Sequence, residues 1–129
     1  MTAGGWKKAV FGIGNRLRGV HGADVTVRPD QLAERLAAGE TPKLLDTRSE
    51  REFHRSRIPG AVLIPHRELP ERLDEVPAAK DEELIVYCEA GVRAAVAEEF
   101  LREQGWTKLV HLHGDMATWR ALRLPVEEG

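Results

Sequence analysis

Short apolar runs alternate with amphipathic stretches along most of this chain. Val25-Thr26-Val27 reads as a first strand, and Pro29 and Asp30 behind it suit a first helical turn. Leu32 and Leu36, with alanines between, form one apolar face that Gly39 brings to an end. Lys43 to Asp46 reads as the next strand, and Ser49 with Glu52 predicts a capping box for a short helix. Ala61 to Ile64 is a third strand. Leu69 and Leu73 mark a short helix interrupted near its start by Pro70, and Asp81-Glu82-Glu83 a solvated turn. Leu84 to Tyr87 is continuously apolar, as a fully buried strand would be. Val92 to Gln104 has helical spacing, turns Ala94, Ala97, Phe100 and Leu101 to the core, and stops at Gly105. Leu109 to Leu112 is a last strand, and Asp115 is expected to cap a final helix carrying Trp119 and Leu122.

This alternation predicts an α/β fold: one domain with a mainly parallel sheet of about five strands and helices on both faces. Such sheets bind ligands beyond the carboxyl ends of their strands. The only cysteine of the chain, Cys88, falls at such an end, in a tight loop that opens a helix. The first amides of a helix lack intrahelical partners, and the helix dipole adds positive charge there. A thiolate so placed is stabilised, with a pKa brought from about 8.5 to between roughly 3.5 and 7.5. Gly91 lets the backbone turn so that successive amides converge, and Arg93 adds a permanent cation. The sequence Cys88-Glu89-Ala90-Gly91-Val92-Arg93 therefore predicts a nucleophile in an anion-binding loop. The competing reading is a small buried hydrophobe.

The loop, Cys-x-x-Gly-x-Arg after a strand, resembles the active-site loop of the rhodanese (thiosulfate sulfurtransferase) family. Leu44-Leu45-Asp46-Thr47-Arg48 followed by Glu50 to Phe53 is similar to that family's hydrophobic-Asp-x-Arg strand end and its E-F helix. Arg57-Ile58-Pro59-Gly60-Ala61 through Ile64-Pro65 resembles its H-I-P-G-A segment. Leu112-His113-Gly114-Asp115 with Trp119, then Leu124-Pro125-Val126, resembles its C-terminal signature. These stand in the family's order from about Val25 to Val126. Two positions depart from it: Ser56-Arg57 replaces the usual Gly-His, and Gly114-Asp115 the usual Gly-Gly.

The resemblance implies a rhodanese-like sulfurtransferase. Cys88 would attack the outer sulfur of a thiosulfate-like donor, and a Cys88 persulfide would be held by amides of Glu89, Ala90, Gly91, Val92 and Arg93. Cyanide or a thiol would then take the sulfur. Asp46 and Arg48 would brace the loop. Neither a metal nor an organic cofactor is implied, and a preformed thiolate needs no general base. With one cysteine in the chain no internal disulfide can form or resolve the persulfide, so the acceptor comes from outside. A persulfide carrier or regulatory module with a protein partner stays open. A phosphatase or arsenate reductase is disfavoured, because four residues separate Cys88 from Arg93 where those enzymes use five. Glu89 would repel an anionic donor and raise the thiol pKa if it pointed inward, and would matter little if it paired with a base.

The remaining chain adds bounds. A formal net charge of -2 gives no general pull toward nucleic acid. No secretory segment or long apolar run stands out, which suggests a cytoplasmic setting. His111 and His113 share a strand face but are too few for a zinc site, His54 and His66 read as surface residues, and Trp119 as core. Residues 1–22 stand apart from a rhodanese-like domain over 23–129. They carry Lys7, Lys8, Arg16 and Arg18, six glycines and no acidic residue, with a broken apolar stripe from Trp6 to Leu17. A packed or frayed extension is expected, with membrane contact or partner docking as the alternative.

Overall fold

In a computed structural model, which describes residues 22–129, five parallel strands form one sheet in the order β1-β5-β4-β2-β3. They are β1 (Val25–Val27), β2 (Leu44–Asp46), β3 (Val62–Leu63), β4 (Leu84–Tyr87) and β5 (Leu109–Leu112). Four helices accompany them: α1 (Pro29–Ala37), α2 (Glu50–Arg55), α3 (Val92–Glu103) and α4 (Asp115–Ala121). The expectation for residues 1–22 concerns a segment that lies, up to His21, outside the described residues. Among the described residues no helix is long and apolar enough to cross a membrane.

Strand side chains alternate between faces, and the core divides accordingly. Leu45, Leu84, Val86 and Leu109 pack on one face with Ala94, Ala97 and Leu101 of α3. Leu44, Ile85, Tyr87, Val110 and Leu112 pack on the other with Leu32 of α1 and Met116 and Trp119 of α4. Strand β4, paired to β5 and β2, is buried along its whole length. Its unbroken apolar run is the sequence signature of that central position.

Local chemistry explains most boundaries. Ser49 caps α2 by accepting from the Glu52 amide, while Glu52 accepts from the Ser49 amide. Ser49→Ala is expected to cost about 1 kcal/mol of stability, readable as a lower denaturation midpoint. Around Pro70 the helix expected from Leu69 and Leu73 is instead two 3-10 turns, His66–Glu71 and Leu73–Glu75, because proline removes a donor the α-helix needs. Trp119 is fully buried, and its indole N–H donates to the Pro125 carbonyl at 2.8 Å.

Asp115 departs from expectation. It does not cap α4. Gly114, with φ of 80°, holds the capping position, and Asp115 is the first helical residue, itself at a left-handed φ of 56°. Leu122 lies past the helix and is exposed.

Candidate functional site

Strand β4 delivers Cys88 to the carboxyl edge of the sheet, and Gly91 turns the chain into α3 with φ of 114°. Only glycine takes that conformation without strain. The Cys88 side chain faces α3, and the residue is 1% exposed. The Gly91 amide donates to Sγ at 2.9 Å, and the nearby amides of Ala94 and Ala90 favour negative charge on the sulfur. Together they form a cradle at the N-terminus of α3. Its effect on ionisation is outweighed. Burial pushes the Cys88 thiol above its ordinary range and the charge of Asp115 adds to this, while the three amides pull the other way. The lowered pKa expected from the helix end is thus reversed.

The predicted supporting residues converge on the loop from several elements. Asp46, at the end of β2, is fully buried and receives Arg48 through Nε at 3.0 Å and a terminal guanidinium nitrogen at 2.7 Å. Arg48 also donates to the Ser56 carbonyl at 2.7 Å and reaches Glu89 at 3.5 Å. Glu89 turns away from Cys88 toward Arg48 and Arg120. Arg93 does not point a free cation into the loop: its guanidinium grips both carboxylate oxygens of Glu52, at 2.7 and 3.0 Å. That bond holds the Glu52 carboxyl at a pKa of about 2. Val92 is 59% exposed at the loop's outer side. His66 is half-buried near Arg93, and burial together with Arg67 and Arg93 lowers its pKa; His54 is exposed.

A second group lies under the loop. The Cys88 amide donates to Oδ1 of Asp115 at 3.0 Å. The other oxygen of Asp115 meets His111 Nε2 at 3.0 Å, and His111 Nδ1 meets Oε2 of Glu98 at 2.6 Å. Oε1 of Glu98 accepts from the Ala23 amide at 2.8 Å. Both carboxylates are nearly inaccessible to solvent. Beside the loop opens a cleft of about 390 Å³, lined by Arg48, Glu52, Arg55, Glu89 and Arg120 among others, with Cys88 itself outside its lining. No cluster of metal-ligating side chains occurs among the described residues.

The family model for the rhodanese-like domain matches residues 28–122, most of the chain. This protein belongs to the rhodanese-like family. A sulfurtransferase of Allochromatium vinosum is 33% identical over 97 residues, covering 75% of this chain and 89% of the relative. The human thiosulfate:glutathione sulfurtransferase is 33% identical over 106 residues, covering 73% and 91%. The crystal structure of the Alr3790 protein from Anabaena superposes with a TM-score of 0.71 at 27% identity, covering 80% of this chain and 82% of that one.

Within this rhodanese-like domain, the residues that sequence reasoning missed are Glu98, His111 and Asp115. Each left a signal. Glu98 sits four residues after Ala94, on the buried face of α3, where a charge needs a partner. Asp115 stands where the family's pattern has glycine, and its left-handed backbone shows why glycine suits the position. In sequence His111 invites only a metal-ligand reading; its partners, 13 residues back and 4 residues on, become visible only in the fold.

Proposed function

We propose that this rhodanese-like domain is a sulfurtransferase that carries sulfur as a persulfide on Cys88. The carrying observation is the Gly91 amide donating to the Cys88 sulfur at 2.9 Å at the N-terminus of α3, where the Ala90 and Ala94 amides also favour negative charge. Fixed donors aimed at a point where negative charge collects stabilise it without reorganisation. The Cys88 thiol first loses its proton to solvent. Its thiolate then attacks the outer sulfur of thiosulfate, the S–S bond of the donor breaks, and sulfite departs with its electron pair. The new terminal sulfur carries the anionic charge of the persulfide. An acceptor thiolate or cyanide attacks that sulfur and returns Cys88 to a thiolate. The human relative is a thiosulfate:glutathione sulfurtransferase, and that pairing supports a thiol acceptor here.

A phosphoryl-transfer reading gains nothing from the geometry. The one arginine of the loop is occupied by Glu52, and a phosphate would need it free. The test is the intact mass of the protein before and after thiosulfate. A gain of one sulfur atom that cyanide removes is expected; an unchanged mass with thiosulfate and with a persulfide donor would overturn the proposal.

Glu89 sets a smaller term. It neutralises Arg48 and Arg120 at the cleft beside the loop. Glu89→Gln should free that charge for an anionic donor and lower the KM for thiosulfate roughly threefold, the scale of an exposed ion pair, with kcat little changed. Steady-state kinetics at fixed acceptor would show it, and an unaltered KM would remove Glu89 from donor selection.

A further inference from the structure

We propose that Asp115 is a positioning residue that governs when Cys88 ionises, acting from the end of a buried Glu98–His111–Asp115 chain anchored on the Cys88 backbone. Three observations meet at this residue. Its carboxylate holds the Cys88 amide at 3.0 Å and so fixes the sulfur's own peptide unit. The same carboxylate lies under the cradle, since a Cβ at Gly91 would stand 3.2 Å from its Oδ2. And it occupies a left-handed φ of 56°, a conformation that glycine takes freely and that aspartate takes at a smaller cost than most side chains. Strain of this kind persists only where the surroundings compensate it, and it concentrates at functional sites. Here the compensation is the pair of hydrogen bonds to Cys88 and His111.

The charge balance gives the chain its sign. The other charges around the loop are matched by partners: Arg93 of α3 by Glu52, Arg48 just past β2 by Asp46, and Glu89 of the loop itself by Arg48 and Arg120. His66, from the 3-10 turn, is shifted toward its neutral form by burial, Arg67 and Arg93. Beneath the loop, two carboxylates from α3 and α4 share one cation, His111 of β5. Burial works against charge on His111, but the hydrogen bonds to Asp115 and Glu98 prevail and push its pKa up to about 10. An imidazolium between two carboxylates leaves one net negative charge under the sulfur. The chain therefore keeps Cys88 as a thiol at neutral pH and makes its nucleophilicity rise with pH.

Ionisation is a property of the resting thiol and can be followed with no sulfur donor present, so its result is independent of whether Cys88 accepts sulfur. The chain has one cysteine, and its single tyrosine, Tyr87, is held un-ionised well into alkaline pH, chiefly by burial. The ultraviolet absorbance of the thiolate is then a clean titration of Cys88. It should be recorded for the native protein, Asp115→Asn and Asp115→Gly. The glycine variant also relieves the left-handed backbone. Both variants are expected to titrate at lower pH, with about tenfold more thiolate at pH 7. In the native protein, nitrogen chemical shifts of His111 should show both ring nitrogens protonated at pH 8. Unshifted or upward-shifted titrations in folded variants would overturn the proposal, leaving Asp115 a purely structural anchor. A native Cys88 that is already largely thiolate at pH 7 would overturn it too, and this decides the matter even where a variant fails to fold.

Discussion

Cys88→Ser is expected to reduce sulfur transfer to the rate without protein and to abolish the mass gain with thiosulfate. The reason lies in the element and not in the geometry. Serine fits the same loop and accepts the same Gly91 amide, so the cradle survives the change. An alkoxide, however, is far harder to form than a thiolate, and the thiolate is the sulfur-attacking species. The chain holds no second cysteine that could substitute. Thermal unfolding of the variant should stay close to that of the native protein, which separates lost chemistry from lost fold. Retained transfer in Cys88→Ser would place the chemistry elsewhere.

The largest expected loss of stability comes from Asp46→Ala. Arg48 is 2% exposed and Asp46 fully buried, and their pairing is bidentate and within 2.7 to 3.1 Å. Asp46 also accepts the Arg48 amide at 2.9 Å. Removing the carboxylate leaves a buried guanidinium with the Ser56 carbonyl, the Tyr87 ring and a distant Glu89 as its remaining partners. Such orphaned charges cost about 3–5 kcal/mol. That is a large part of the roughly 5–15 kcal/mol by which domains are stable. Chemical denaturation should show the lower midpoint. Replacing both residues, Asp46→Leu with Arg48→Met, should restore much of it, since the double change removes the unpaired charge together with its partner. A single-variant loss under about 1 kcal/mol would mean that water reaches Arg48 on unpairing. Activity should fall in parallel, because Arg48 links the end of β2 to Ser56 and to Glu89 of the loop.

Much of this site is written in short stretches of chain. The run Leu84 to Tyr87 specifies a central strand, Gly91 specifies the turn, and the spacing from Val92 specifies the helix whose amides meet the sulfur. Ser49 and Glu52 specify a cap across three residues. Each of these depends on periodicity or on hydrogen bonds between near neighbours, so each is decided locally. The parallel sheet follows from the same alternation, because helices between strands force crossovers.

The electrical state of the site, by contrast, comes from long-range packing. The partner of Arg93 is Glu52, 41 residues away, so the loop cation that sequence assigns to an anion is already engaged. Glu89 is turned outward by Arg120 from α4. Glu98, His111 and Asp115 come from α3, β5 and α4, and only their packing beneath the loop makes them one charge system. Helix ends and glycines act over a single turn of chain, whereas Coulomb energies and desolvation depend on where unrelated segments finish. Local pattern places Cys88 at a helix N-terminus; long-range packing brings the burial and the Asp115 charge that push its thiol above the ordinary range.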